Sequence, residues 1–167
     1  MYERILAIGD IHGQWDRFMS LYTQIDFHPE RDLLVFLGDY IDRGRKSLYV
    51  LDWMYEHRNE KNIIMLRGNH EQMMINYYES NGTRDIWLWN GGDVTRRALM
   101  KQSDEVQKKC LDFVKSLPLQ FQISVGGKNF FSATQALILT SLWMSKTKTP
   151  CSGYGRNTMS SIQAKIS

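Results

Sequence analysis

Short apolar runs alternate with segments of helical periodicity in the first part of the chain. Three runs, residues 5–8, 33–37 and 63–66, are continuous rather than alternating, which is typical of strands buried on both faces. Between them apolar residues recur every three or four positions, and Ser47 is predicted to be the N-cap of the second helix. The pattern predicts a βαβαβ unit with a parallel sheet and right-handed crossovers.

The pattern changes after the third run. Residues 70–116 have helical character with breaks at positions 81–82 and 91–92, and residues 119–131 alternate around a Gly-Gly pair. The first segment predicts several helices, and the second predicts a β-hairpin. Together with the parallel unit, these elements predict an α/β fold.

Composition places the chain among soluble globular proteins. Its 167 residues suit one domain, with 43% hydrophobic and 23% charged residues. All 18 acidic residues precede Phe113, and the basic residues beyond Ser132 are scattered, so we expect no nucleic-acid partner.

Cys110 and Cys151 are predicted to be free thiols in a reducing compartment. No apolar stretch approaches the roughly 18–20 residues that span a bilayer, so we expect a cytoplasmic protein without a membrane partner. The sequence leaves its oligomeric state unknown.

Each of the three predicted strands ends in a glycine followed by a polar residue: Asp10, Asp39 and Asn69. Neighbouring strands of a sheet lie about 4.8 Å apart, and the carboxyl ends of parallel strands together form a crevice. These side chains should therefore lie close together. His12 and His70 lie in the same loops. A single Gly-Asp pair is more often a simple turn, but three in register favour a ligand site. Oxygen and imidazole ligands without thiolate suit manganese, iron or zinc.

The same three loops carry motifs with a family resemblance. The blocks GDIHG (9–13), GDYIDRG (38–44) and RGNHE (67–71) resemble the signature blocks of the phosphoprotein phosphatase family of calcineurin-like metallophosphoesterases. The later WLWNGG (87–92) is most similar to its bacterial and bacteriophage branch. The resemblance covers residues 4–131. It implies an α/β/β/α sandwich, in which two mixed sheets are flanked by helices. In this chain the sandwich would be incomplete at the C-terminus.

The resemblance implies a site with two divalent metal ions, manganese with iron or zinc as alternatives. Asp10 and His12 would hold the first ion, Asp39 would bridge both, and Asn69 would bind the second. The bridging role suits a carboxylate, because it offers two oxygens. Two ions about 3.5–4 Å apart activate water and stabilise the charge that develops during in-line phosphoryl transfer.

The resemblance also implies three catalytic residues. His70 would be the general acid for the leaving alkoxide, Asp42 would orient it, and Arg43 would clamp the phosphate oxygens. Imidazole suits proton transfer near neutral pH, and a guanidinium fork matches phosphate geometry. The simpler alternatives are a helix-entry cap for Asp42 and a surface turn for Arg43. Trp87 and Trp89 either line a substrate cleft or pack in the core.

The resemblance breaks down beyond the predicted hairpin. In the family the strand matching residues 129–131 runs into a His-Ala-Gly block whose histidine binds the second metal, and a later histidine completes that site. Here Phe131 is followed by Ser-Ala-Thr-Gln-Ala, and no histidine follows His70. The second metal would therefore lack two imidazole ligands.

A change of reading frame explains this departure. If the third base of each codon is read together with the first two bases of the next codon, the codons possible from Ala133 onward can encode His-Ala-Gly. Trp143 and Met144 have one codon each, and there the shifted reading can only encode Asp. We therefore expect residues 1–131 to be the N-terminal part of a metallophosphoesterase domain. Residues 132–167 would be an out-of-frame, poorly ordered tail.

The predicted function is two-metal hydrolysis of phosphomonoesters, with a phosphoprotein or a phosphorylated small molecule as substrate. A serine/threonine protein phosphatase, with phosphotyrosine as a further substrate, is favoured by Asp42 and Glu71. The alternatives are a symmetrical diadenosine tetraphosphate hydrolase and an inactive pseudo-phosphatase fragment. Because two metal ligands are missing, we expect the chain as written to be inactive or severely impaired.

Overall fold

The computed structural model describes residues 2–80, 85–125, 128–133 and 136–139. The predicted βαβαβ unit is present, followed by three more helices and three further strands. In chain order the elements are β1 (Arg4–Ile8), α1 (Trp15–Gln24), β2 (Asp32–Phe36), α2 (Ser47–His57), β3 (Ile63–Met65), α3 (Asn69–Glu79), a π-helical turn (Leu88–Gly92), α4 (Asp93–Leu99), α5 (Asp104–Ser116), β4 (Gln120–Val125), β5 (Lys128–Ala133) and β6 (Ala136–Leu139). Among the described residues, the helices are all too short or too polar to cross a membrane.

The first sheet is parallel, in the order β1-β2-β3, as predicted. Strand β2 pairs with both neighbours, so that Leu34 faces Leu6 on one side and Ile63 on the other. All five residues of β2 are buried, as its apolar run predicted. The same expectation is wrong for β1, where residues 4–6 are partly exposed and Ala7 is exposed. Strand β1 borders the described part of the sheet, so less of its surface is covered.

Aromatic side chains hold the first two helices against the central strand. The ring of Phe18 from α1 lies 5.0 Å from that of Trp53 on α2 and 5.8 Å from that of Phe36 on β2. All three contacts, including the 5.6 Å contact of Phe36 with Trp53, are edge-to-face, a favourable arrangement for aromatic rings. This packing fixes the starting points of the helices and therefore the loops that precede them.

The predicted N-cap of α2 is wrong. Helix α2 begins at Ser47 itself, after Lys46. The Ser47 hydroxyl instead donates to the Gly44 carbonyl at 3.3 Å and accepts the Asp42 N–H at 3.1 Å. The hydroxyl thus binds backbone groups of the tight turn between residues 42 and 44, and it does not cap the helix.

The second sheet is antiparallel, in the order β4-β5-β6. The predicted hairpin is confirmed by the pairing of Ile123 with Phe130, although its two glycines lie outside the described residues. Strand β6, in which Ile138 pairs with Phe131, was not predicted. Residues 140–167, most of the proposed out-of-frame tail, lie outside the described residues, so that hypothesis stays a prediction.

Candidate metal centre

The loops that follow β1 and β2 are joined through their backbones. The N–H groups of Ile11 and His12 both donate to the Asp39 carbonyl, at 3.0 and 2.9 Å. A Cβ atom on Gly44 would lie 2.3 Å from the His12 carbonyl oxygen, so only glycine permits this approach. The contact brings the loop that carries Asp10 and His12 against the loop that carries Asp39.

The loop after β3 closes on the same point. Gly38 has a φ of 106°, which favours glycine, and its Cβ position lies 2.5 Å from the Gly68 backbone. A Cβ on Gly68 would in turn lie 2.1 Å from Oδ1 of Asp39. The His70 N–H donates to that same oxygen at 3.0 Å. Three strand ends therefore converge around Asp39, as their sequence register predicted.

The converged side chains form a set of metal donors. One ligand atom each from His12, Asp39 and His70 lies within 4.8 Å of the others, and Oδ2 of Asp10 lies 3.8 Å from Nε2 of His12. Nδ1 of His12 lies 2.9 Å from the Ile41 carbonyl. Because a carbonyl only accepts, Nδ1 carries the proton and Nε2 keeps a free lone pair. Carboxylate and imidazole donors held in this way fit a divalent transition metal.

The guanidinium group of Arg43 lies next to the lone pair on Nε2 of His12. The Nη1 atom of Arg43 donates to Nε2 of His12 at 2.8 Å, and its Nη2 atom lies 3.3 Å from Nε2 of His70. The backbone N–H of Arg43 donates to the Gly91 carbonyl at 3.1 Å, which ties the arginine to the π-helical turn. The guanidinium group of Arg43 therefore lies within hydrogen-bonding distance of both histidine rings at this site.

Strained backbone conformations are concentrated at this site. Four of the five non-glycine residues with positive φ in the described part of the chain are predicted site residues: His12 (46°), Asp39 (57°), Asp42 (76°) and Arg43 (63°). Each such residue costs on the order of 1–3 kcal/mol and persists only where its surroundings hold it in place. Strain of this kind clusters at functional sites, and here it marks the two loops that carry the donors.

His70 is oriented by a buried carboxylate. Its Nδ1 lies 2.7 Å from Oδ2 of Asp42, and the Trp87 indole N–H donates to the same oxygen at 2.8 Å. Burial lowers the pKa of His70, but the hydrogen bond and charge of Asp42, with the charge of Asp39, outweigh it and leave the pKa raised. Within the described residues, Oδ1 of Asp42 is buried without a hydrogen bond. Asp42 therefore faces His70 rather than capping a helix.

The two tryptophans of the WLWNGG block lie in different environments, and only the core alternative for Trp87 is confirmed. Trp87 is fully buried and packs 5.3 Å from the Tyr77 ring, so it belongs to the core while it also holds Asp42. Trp89 is 85% exposed on the π-helical turn. The positive φ of Gly91 (95°) reverses the backbone between them and the next helix.

Glu71 is a site residue whose role the sequence did not reveal. Its side chain is fully buried and accepts the backbone N–H groups of Asp39, Tyr40 and Gly68, each at 2.8 Å. Burial raises the pKa of Glu71 to about 7, and the Asp39 charge adds to this, whereas the three N–H donors lower it. The carboxyl group joins the loop after β2 to the start of α3. Its position three residues after Gly68 is that of a capping box, the one sequence signal that could have found it.

The fourth predicted metal ligand, Asn69, lies at the start of a helix. It is the first residue of α3, between Gly68 and His70, and so lies at the same strand end. The structure therefore brings all seven predicted site residues to one edge of the parallel sheet. The metal and catalytic roles of each remain predictions.

Residues 3–152 match the family model of the calcineurin-like phosphoesterases. The chain belongs to this family, and the predicted metallophosphoesterase fold class is confirmed by this membership and by the parallel sheet with its flanking helices.

Curated relatives include two kinds of enzyme. The chain is 40% identical over 92 residues to serine/threonine-protein phosphatase 2 of Escherichia coli, covering 55% of this chain and 40% of that protein. It is 31% identical over 133 residues to the Salmonella typhimurium protein of the same name, covering 80% and 58%. It is 40% identical over 78 residues to a symmetrical bis(5'-nucleosyl)-tetraphosphatase of Chromobacterium violaceum, covering 47% and 27%. The chain thus spans about a quarter to under two thirds of the length of these relatives.

Proposed function

We propose that the protein is a metal-dependent phosphomonoester hydrolase whose substrates are phosphoserine and phosphothreonine in proteins, with phosphotyrosine or phosphorylated small molecules as further substrates. The observation that carries the proposal is the convergence of a metal-donor set with the His70–Asp42 pair and Arg43. Membership of a phosphoesterase family and similarity to two proteins named serine/threonine-protein phosphatase support it. We place the enzyme in the cytoplasm, without nucleic-acid or membrane partners.

Asp10, His12 and Asp39 would hold a first divalent ion, and Asp39 with Asn69 would hold a second. When bound, such ions polarise the phosphoryl group and lower the pKa of water. We propose manganese, with iron or zinc as alternatives, because the donors are carboxylate, amide and imidazole. No histidine follows His70, so the second ion has few protein ligands in this chain and would bind weakly.

The proton for the leaving group would come from His70. Asp42 holds Nδ1, which leaves Nε2 to carry a proton toward the substrate. As the phosphorus–oxygen bond breaks, that proton passes to the serine or threonine oxygen while water supplies the new oxygen on phosphorus. Against the opposing effect of burial, the Asp42 carboxylate raises the pKa of His70, which favours the protonated form that a general acid requires. Arg43 is exposed and can turn its fork from the two histidines to the phosphate oxygens.

A second candidate is the hydrolysis of dinucleoside polyphosphates, supported by similarity to the tetraphosphatase. The discriminating experiment uses a chain whose reading frame is corrected near codon 132, and compares its turnover of a phosphoserine peptide with that of diadenosine tetraphosphate, with added Mn²⁺. Preference for the peptide supports the protein phosphatase, and preference for the dinucleotide contradicts it. Calorimetry of the uncorrected chain should give near one tight Mn²⁺ per chain, and two tight equivalents would contradict the assignment of a weak second site.

We also propose that residues from about Ser132 onward are read out of frame, which would make this chain an inactive fragment of such an enzyme. The absence of acidic residues and histidines from this segment supports the proposal. Sequencing the gene across codons 130–136 tests it directly. An uninterrupted frame, with no insertion or deletion relative to related genes, would contradict it.

A further inference from the structure

A cavity of about 490 Å³ opens beside the metal centre, between the starts of α1 and α2. Its walls come from the loops after β1 and β2, and include Trp15, Arg17, Arg45 and Lys46. Arg43 lines the cavity as well, and its guanidinium group also contacts both histidines of the donor cluster. The cavity and the metal centre are therefore continuous through one side chain.

The cavity has a surplus of positive charge. Lys46 is neutralised, because its Nζ lies 2.8 Å from both carboxylate oxygens of Asp16. Arg17 and Arg45 are exposed and have no ion pair or hydrogen-bond partner for their side chains among the described residues. Two arginines without a structural partner, facing one cavity, are available to a ligand of opposite charge.

The position of the cavity indicates what kind of anion it takes. If Arg43 holds the phosphate, the residues next to the phosphorylated one extend away from the metal centre at about 3.3–3.6 Å per residue. A neighbouring side chain then reaches the cavity directly. A carboxylate suits it, because the guanidinium fork binds two carboxylate oxygens at once.

We propose that this cavity binds aspartate or glutamate side chains that flank the phosphorylated residue of a protein substrate, with Arg17 and Arg45 as the residues that determine this specificity. The proposal rests on the proposed protein phosphatase function, since it assigns the sequence context of that substrate. Because both arginines are exposed, each contact should change affinity about two- to fivefold, and should weaken as salt is added.

The test is the binding of fluorescent peptides to the 167-residue chain with Mn²⁺, followed by anisotropy. The phosphorylated residue is replaced by a phosphonate analogue of phosphoserine, so that turnover does not interfere. One peptide carries glutamates on both sides of it and a second carries glutamines. A third carries the glutamates around plain serine. The chain should bind the glutamate peptide about tenfold more tightly than the glutamine peptide.

The double variant Arg17→Gln/Arg45→Gln should lose this preference. A matched variant, Lys61→Gln/Lys101→Gln, removes the same charge from exposed positions away from the cavity and should keep it. The reversed variant Arg17→Glu/Arg45→Glu should prefer a lysine-flanked phosphonate peptide. Thermal unfolding of each variant should match the parent chain, since all four residues are exposed.

Retention of the glutamate preference in Arg17→Gln/Arg45→Gln would overturn the proposal, as would equal loss in the lysine variant. If the arginine variant weakens binding of diadenosine tetraphosphate and leaves the peptides unchanged, the cavity serves a polyphosphate and the proposal is wrong. Failure of the protein phosphatase function itself has a different signature. There the phosphonate peptide would bind no better than the plain serine peptide, whatever its flanking residues.

Discussion

The two ends of strand β2 carry buried carboxylates in opposite environments. At its start, Asp32 is fully buried and accepts Arg4 Nε at 2.8 Å and the His28 N–H at 2.8 Å. The hydrogen bond from Arg4 holds the pKa of Asp32 down at about 2, against the opposing effect of burial. Beyond its end, Asp39 and Asp42 have positive φ, and Oδ1 of Asp42 is buried without a hydrogen bond in the described structure.

The difference separates a carboxylate that stabilises the sheet from two carboxylates that we propose to be functional. The Arg4–Asp32 pair joins residues that are opposite each other in the β1–β2 register, so its geometry comes with the sheet. The carboxylates at the other end lie in loops whose backbone is strained and whose positions depend on close glycine contacts. Substitutions at the start of β2 should therefore change stability, whereas those beyond its end should change chemistry.

The largest effect should come from the tail. We expect negligible phosphatase activity from residues 1–167 with Mn²⁺, because a second ion without imidazole ligands is held weakly and both ions are needed. A single-base frame correction near codon 132, with the downstream frame restored, should recover turnover of an aryl phosphate. The measurement is release of nitrophenolate by the two chains at equal concentration. Turnover by the uncorrected chain at the corrected chain's rate would contradict the prediction.

The next largest effect concerns His70, in the frame-corrected chain. His70→Asn should lower turnover of a phosphoserine peptide about 10²–10⁴-fold, the usual range for a general acid. Nitrophenyl phosphate should suffer less, because its leaving group needs little protonation. Steady-state kinetics on both substrates make the comparison. Equal losses on the two would show that His70 is structural, like Asp32, and would break the contrast between the two ends of β2.

Much of this candidate site could be predicted from the sequence because the proposed metal ligands directly follow strands. Three glycines, each followed by Asp or Asn, end three neighbouring apolar runs, and parallel strands place their carboxyl ends at one edge. The residue types then limited the chemistry to carboxylate, amide and imidazole donors. The fold of the first sheet was predictable for the same reason, since its strands and helices have distinct periodicities.

What the sequence did not reveal depends on contacts between segments that are distant along the chain. The burial of Glu71 follows from N–H groups of the loop after β2, about thirty residues earlier. Trp87 and Trp89 are two positions apart and so point to different sides of a helical segment, but which of them is buried depends on the packing of Trp87 against Tyr77. No turn signal in the sequence separates strand β6 from strand β5. Each of these is decided by tertiary packing rather than by local pattern.

Close packing at the strand ends predicts a third effect. Gly68→Ala would place a methyl group 2.1 Å from Oδ1 and 2.2 Å from N of Asp39, so the loop must move. We expect a loss of about 3 kcal/mol in the free energy of unfolding, at the upper end for overpacking, together with weaker Mn²⁺ binding. Gly9→Ala, where an added Cβ meets nothing within 4 Å, is the matched control and should change both little. Urea unfolding and calorimetry measure the two quantities, and similar losses in the two variants would contradict the packing argument.

The smallest effect should be the loss of stability caused by a substitution of Asp32 at the start of β2, and this loss should depend on pH. Because the pKa of Asp32 is lowered to about 2 by Arg4, its contribution to stability is fully present above about pH 4 and is lost as the pH falls toward 2. Asp32→Asn should therefore lower the free energy of unfolding by about 2 kcal/mol at pH 7, the scale of a hydrogen bond to a charged group, and this difference should shrink below pH 4. Asp112→Asn removes an exposed partner of Lys108 at 2.7 Å and should cost under about 0.5 kcal/mol at every pH. Urea unfolding at pH 7, 5 and 3 measures all three chains. A difference between Asp32→Asn and the parent chain that stays constant down to pH 3 would show that the carboxylate stabilises the fold by packing, and not by its charge.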